Sequence, residues 1–452
     1  MKSINPANNH LIREYKEHSE DEVRQIIESV HLAWISWKET SFKYRAEHFH
    51  KAAVVLRENK DTYARLMTAE MGKILRESAS EIEKCAVACD YFADHAAVLL
   101  RDQEIASDAN RSLVVFQPLG VILAVMPWNF PFWQVFRFAA PSLMAGNAAV
   151  MKHASNVPGC ALAIEEIFIK AGFPENLFRT LMIPSTMVEP VIANPQVKAA
   201  TLTGSEYAGS QVASAAGRHI KKTVLELGGS DPFIVLEDAP MEKAINTAVT
   251  ARMINQGQSC IAAKRFIVME SVAEEFTRLL KATVELLKVG DPLDPETQVG
   301  PLARPDLEDD IERQVNRSVE TGARLITGGK RPARPGCYYL PTILTDVRKG
   351  MPAYHEETFG PVFSIITVKS EEEAIAVAND SVFGLGGSVW TTDLKRGEAV
   401  ARRIETGAVF VNGLTKSDPR LPFGGIRKSG YGRELSEYGI KEFVNIKTIW
   451  IG

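Results

Sequence analysis

The sequence predicts an α/β protein of two successive domains, each built on a largely parallel sheet, with a layer of helices ahead of them. Two observations carry this prediction. From about residue 121, short apolar runs of strand length alternate with stretches of helical period, the pattern of βαβ units. A second series of the same kind begins near Phe233 and continues to about Asn412.

Taken in order, Ser3–Tyr15 predicts two short strands around the turn residues Asn5-Pro6-Ala7-Asn8-Asn9. Apolar residues at three- and four-residue steps then predict helices at about 20–38, 43–71 and 75–102. The first strand series is Val121–Met126, Ala148–Lys152, Phe178–Ile183, Ala199–Leu202 and Thr223–Leu227, with helices near 132–144, 158–171, 186–193 and 207–219. The second is Phe233–Leu236, Arg265–Met269, Ala323–Thr327, Val362–Val368, Gly387–Trp390 and Ala408–Asn412, with a helix at Met241–Ile254. Arg111–Val121 and Glu442–Trp450 belong to neither series. They alternate apolar and polar residues, as half-exposed antiparallel strands do, and edges of that kind are usually paired or covered.

The 452 residues are 45% apolar and 24% charged, the balance of an ordinary globular protein. A formal net charge of −4 without long basic runs argues against nucleic acid and anionic membrane as main partners. No apolar run approaches the roughly 18 residues of a membrane span, and Met1–Tyr15 lacks the apolar core of a secretory signal. The five cysteines, Cys85, Cys89, Cys160, Cys260 and Cys337, are odd in number and widely spread, which points to a reducing cytoplasm. Cys85 and Cys89 share a helix face, but no partner pair sits at zinc spacing. They read as small buried hydrophobes, and no metal is expected.

Four clusters carry potential chemistry. Asn255-Gln256-Gly257-Gln258-Ser259-Cys260 follows a helix, and a thiol on such a loop reaches a pocket as a nucleophile; a buried free cysteine is the plainer alternative. Leu225-Glu226-Leu227-Gly228-Gly229 puts a carboxylate at a strand's C-terminal end, where burial raises its pKa and makes it a base near neutrality; a salt-bridged strand-end acid fits equally. Thr203-Gly204-Ser205-Glu206-Tyr207-Ala208-Gly209 joins a strand to a helix N-terminus suited to a pyrophosphate, but departs from G-x-G-x-x-G, so an ordinary turn stays open. In Pro127-Trp128-Asn129-Phe130-Pro131 two prolines hold one Asn amide, either an oxyanion donor or a rigid aromatic turn.

Together with Lys152-His153-Ala154-Ser155, Glu357-Thr358-Phe359-Gly360-Pro361 and Pro422-Phe423-Gly424-Gly425, these clusters resemble the aldehyde dehydrogenase superfamily in composition and order, from about residue 5 to the C-terminus. The resemblance implies a Rossmann-type cofactor domain (1–108 with 125–228), an α/β catalytic domain (229–425) and a small β oligomerisation arm (109–124 with 436–452), giving a homodimer or homotetramer. It implies Cys260 as nucleophile, Glu226 as general base, and the Asn129 amide with the Cys260 backbone N–H as oxyanion hole. For the dinucleotide it implies Pro127, Trp128, Lys152, Ser155, Gly204, Ser205, Leu227, Glu357 and Phe359. Ser155 stands where relatives with an acid select NAD. A serine removes that repulsion, so NADP is expected to be preferred and NAD to be the second cofactor.

The tract Met126–Arg137 is most similar to short bacterial succinate-semialdehyde dehydrogenases. Trp133 and Arg137, four apart on a helix, are expected at the substrate entrance, with Arg137 pairing a remote carboxylate. Ser417 is an expected hydroxyl donor and Arg420 a second candidate cation; a salt bridge within the N-terminal domain is the other reading of Arg137. Ile261 beside the nucleophile argues against a neighbouring-thiol switch. A coenzyme-A-acylating or broad-specificity relative, and a non-catalytic scaffold, are the competing functions. Retention of Glu226 as hydrolytic base speaks against the acylating relative, and retention of Cys260, Glu226 and Asn129 together speaks against the scaffold.

Overall fold

The structure is a computed structural model that describes all 452 residues. Five parallel strands run in the spatial order Lys222–Glu226, Val197–Thr203, Val121–Met126, Ala148–His153, Phe178–Thr180. The first strand in sequence lies at the centre and the order reverses beside it, so this is a doubly wound sheet with a switch point between Val121–Met126 and Val197–Thr203. A two-residue strand, Gly430–Tyr431, adds antiparallel to Lys222–Glu226.

The second sheet has seven strands: Arg324–Thr327, Thr342–Thr345, Val362–Val368, Ala263–Met269, Asp231–Val235, Ser388–Trp390 and Phe410–Val411. All pairs are parallel except the first. Its strands read as continuous apolar runs because both faces are covered. Phe233, Val235, Phe266 and Val268 enter one buried cluster, while Ile234, Leu236 and Ile267 enter another on the opposite face. That is the two-residue period of a strand.

A third sheet joins Val444–Ile451 to Arg111–Pro118, with Gln103–Glu104 on the far side, all antiparallel. Val444–Ile451 is an open edge, and Ile446 and Trp450 on one face of it are 61% and 57% exposed. No helix is long and apolar enough to cross a membrane.

Several expectations need correction. The helix expected over 43–71 is two, Phe42–Glu58 and Lys60–Met71. The break falls at Asn59, whose side chain donates to the Val55 carbonyl and competes with the helical ladder. The strand expected over Phe178–Ile183 ends at Thr180, and Thr342–Thr345 was missed. The expected boundary at 124/125 cuts Val121–Met126, all six residues of which pair in the parallel sheet, so Val121–Ala124 lie there and not in the arm. At the other end, Ser436–Ile440 is a helix with Ser436, Gly439 and Ile440 buried, and the strand that pairs with Arg111–Pro118 starts only at Val444. Cys85 and Cys89 are buried in the helix Leu75–Leu99 as free thiols.

Candidate active site

At the C-terminal ends of the strands flanking the switch point opens a cleft of about 410 Å³. This is the place where doubly wound sheets hold ligands. Pro127, Trp128, Lys152, Gly204, Ser205, Leu227, Glu357 and Phe359 line it, together with Asn129, Glu226 and Cys260. Ser155 is exposed, one residue beyond the lining Ala154. A second, narrow cavity is lined by Trp133, Arg137 and Ser417. Cys260 lines both and so stands where they meet.

The Cys260 loop is held against its own backbone preferences. Asn255, Gln256 and Gly257 have φ of 49°, 54° and 79°, three left-handed residues in succession. Non-glycine residues there cost of order 1–3 kcal/mol each, so the surroundings must hold them. Asn255 donates its N–H to Glu77 (2.9 Å) and its side-chain amide to the Asn129 carbonyl (2.7 Å). Buried Arg252 donates to the Ala263 carbonyl at 3.1 Å and also to that of Gly257. Lys264 donates to the carbonyls of Ser259 and Cys260, both at 2.8 Å. Gly257 is required twice over: a Cβ there would sit 2.2 Å from the Gly360 carbonyl oxygen.

Two donors are left free in the cleft that Cys260 lines. The Cys260 backbone N–H has no acceptor in the chain. Asn129 gives one Nδ2 proton to the Gln258 carbonyl at 3.1 Å, which leaves the other free. Burial pushes the Cys260 thiol up to about 12; Arg137 and Lys264 oppose this, and Glu357 and Glu226 add to it.

Glu226 ends its strand opposite Thr203 and is buried, with neither oxygen bonded. Burial raises its carboxyl well above the usual range, Arg137 opposes and Glu434 adds. An unbonded buried acid is expensive unless something else occupies the site, which is the mark of a working group.

Arg137 is fully buried, where the sequence placed a guanidinium facing a substrate. It is ion-paired with Glu434, donates to Thr203 Oγ1 at 3.2 Å and lies 4.6 Å over the Phe423 ring. Arg137 is thus salt-bridged, but its partner lies 297 residues away in sequence and outside the N-terminal domain where the alternative reading placed it. Arg420 does not line either cavity; it chelates Asp418 on the surface at 2.8 and 2.6 Å. Sequence reading missed Lys84, whose Nζ donates to Ser417 Oγ at 2.7 Å and lies 4.1 Å over the Trp133 ring. It also missed Arg304, 5.5 Å over the Trp128 ring at the mouth of the larger cleft.

The larger cleft suits a dinucleotide. Ser205 caps the helix Glu206–Arg218 by accepting from the Ala208 N–H at 3.3 Å, which aims a helix N-terminus at the cleft. Lys152 faces it without a carboxylate or hydrogen-bond partner, its pKa lowered by burial. Glu357 is fixed by the Gly229 N–H at 3.0 Å and by Lys264 at 3.3 Å. Phe359 stands edge-on to Trp128, their centroids 5.8 Å apart.

Residues 1–449 match the aldehyde dehydrogenase family. A probable succinate-semialdehyde dehydrogenase (NADP+) of Synechocystis sp. is 54% identical, over 99% of each chain. The succinate-semialdehyde dehydrogenase (NADP+) of Mycobacterium leprae is 48% identical, over 99% of each. The crystal structure of succinic semialdehyde dehydrogenase from Streptococcus pyogenes with NADP+ superposes with a TM-score of 0.98 at 40% identity, covering 100% of this chain and 99% of that one. With fold, cleft and motifs in agreement over its whole length, the chain belongs to the aldehyde dehydrogenase family.

Proposed function

We propose that the chain oxidises succinic semialdehyde to succinate, with NADP+ as preferred hydride acceptor and NAD+ as the weaker one. The observation that carries this is that Cys260, Glu226 and Asn129 line one dinucleotide-sized cleft, and that Cys260 also lines a narrow cationic channel. Relatives of that name at 48–54% identity support the substrate and cofactor.

The Cys260 thiol gives its proton to water in the cleft and the thiolate sulfur bonds the carbonyl carbon, so Glu226, whose raised basicity suits a base near neutrality, stays unprotonated for the hydrolytic step. The oxygen of this tetrahedral adduct takes hydrogen bonds from Asn129 Nδ2 and the Cys260 N–H, where charge develops. When bound in the larger cleft, the nicotinamide supplies the hydride acceptor and a positive charge that favours the thiolate. Loss of hydride from the adduct leaves a thioester on Cys260. Glu226 then removes a proton from the water that attacks the thioester carbonyl, and the sulfur leaves as succinate forms.

Lys152, Gly204 and Ser205 hold the adenosine and pyrophosphate side of the dinucleotide, with Pro127 and Leu227 as walls. Glu357 and Phe359 hold the nicotinamide side and Trp128 backs Phe359. Ser155, exposed and uncharged, admits a 2′-phosphate. Trp133 and Ser417 line the substrate path, and Arg137 adds positive potential while paired. The five-stranded parallel sheet is the dinucleotide domain and the seven-stranded sheet the catalytic domain. The three-stranded sheet is an oligomerisation arm: its open edge and exposed Ile446 and Trp450 suit a second copy of the chain, in a dimer or a tetramer. Five unpaired cysteines fit a reducing cytoplasm.

The test is kcat/KM for succinic semialdehyde, glutaric semialdehyde, butanal and benzaldehyde with each cofactor. The proposal expects succinic semialdehyde with NADP+ to lead, and an enzyme that prefers benzaldehyde or NAD+ by about tenfold would refute it.

A further inference from the structure

We propose that the ammonium of Lys84, held by Ser417 and Trp133 in the channel leading to Cys260, is the counter-ion for the remote carboxylate of the substrate. This rests on the semialdehyde reading above and names the residue that enforces it.

The cations around the channel are not equivalent. Arg137 is ion-paired with Glu434, and Lys73, on the neighbouring turn, is paired with Glu81. Arg420 is held by Asp418 outside. Lys84 has no carboxylate partner. Its Nζ gives one proton to Ser417 Oγ at 2.7 Å and faces the Trp133 ring at 4.1 Å. Lys84 is half-buried in this channel, and an ammonium withdrawn from water without a carboxylate partner is costly. What the chain withholds here, an anion arriving in the channel supplies.

The chemistry of the surroundings fits a carboxylate. The Ser417 hydroxyl accepts from Lys84 and keeps its own proton for a second acceptor. A carboxylate between them would receive one charge-assisted and one neutral hydrogen bond. The Trp133 ring stabilises the ammonium through its face and shields it from water. Lys84, Ser417 and Cys260 line one cavity, so the ligand is an aldehyde with an anionic group a short chain away from the carbonyl.

The same placement makes the discrimination sensitive to pH. Burial first, then Arg137 on the facing helix and Lys73, bring Lys84 down to about 8 against the opposing pull of Cys85 and Glu81 on its own helix. The ammonium is present below that pH and lost above it, so affinity for the carboxylate fades as pH rises.

The experiment reads the ratio of kcat/KM for succinic semialdehyde to that for butanal, an uncharged aldehyde of the same length. Lys84→Met should lower the ratio about tenfold or more, and Lys84→Arg should hold it within about threefold. In the parent enzyme the ratio should fall between about pH 7 and about pH 9.5, and in Lys84→Met and Lys84→Arg it should be flat. A parent ratio near one would refute the semialdehyde reading itself. A high parent ratio that Lys84→Met leaves within about threefold would overturn the role of Lys84 alone. Should Lys84→Met not fold, a parent ratio flat across that pH range would overturn it equally.

Discussion

The Arg137–Glu434 pair gives a prediction in which stability and catalysis must move together in a defined way. Arg137 is 1% and Glu434 5% exposed, so neither charge has water to fall back on. Glu434→Gln strands the guanidinium and Arg137→Met strands the carboxylate; breaking a buried pair from one side costs about 3–5 kcal/mol. The double variant removes both charges at once, so its cost should fall short of the summed singles by at least about 2 kcal/mol. The pair also borders Glu226, where the Arg137 charge opposes the effect of burial and the Glu434 charge adds to it. Glu226 must be ionised to act as a base, so activity rises with pH through its pKa. Losing the negative Glu434 lowers that pKa and moves the acidic limb of the kcat profile to lower pH. Losing the positive Arg137 raises it and moves the limb the other way. Urea denaturation followed by fluorescence, with pH profiles of the folded variants, reads both effects. Singles that add to within about 0.5 kcal/mol, or limbs that shift in the same direction, would refute the reasoning.

Ser155→Asp should reverse cofactor choice: the exposed side chain tolerates the change, and a carboxylate there repels a 2′-phosphate, so the kcat/KM ratio of NADP+ to NAD+ should fall about tenfold or more, and an unchanged ratio would exclude Ser155 from the phosphate site. Gly257→Ala should displace the Cys260 loop, because φ is 79° and the new Cβ meets the Gly360 carbonyl oxygen at 2.2 Å. Strain alone costs about 1–2 kcal/mol, so melting temperature and kcat should both fall; parent-like values of each would show that the loop is not held as described.

The pattern reading worked where burial on both faces makes a strand a continuous apolar run. Val121–Met126 and Val362–Val368 were placed residue for residue. It failed where local pattern carries no signal. The amphipathic period continues across Asn59 although the helix does not, and Gly430–Tyr431 is too short to show a period at all. The chemistry-bearing motifs were legible because each is local: the Asn, the Glu, the Cys and the cofactor residues sit in short runs with turn residues beside them. The groups that support them come from far away in sequence. Lys84 meets Ser417 across 333 residues, and Glu77 holds Asn255 across 178. Nothing in an interior helix position distinguishes Lys84 from a solvated lysine. Arg420 did carry a readable signal, since Asp418 two residues before it is a ready partner.

The central claim is a covalent bond between the Cys260 sulfur and the substrate's acyl carbon, released by Glu226. Glu226→Gln, mixed with succinic semialdehyde and NADP+ and then analysed by intact mass and peptide mapping, tests it most directly. The account predicts one equivalent of reduced cofactor, and a stable mass gain of one acyl group on the peptide that contains Cys260. Reduced cofactor with no mass gain, or an acyl group on a peptide without Cys260, would contradict it.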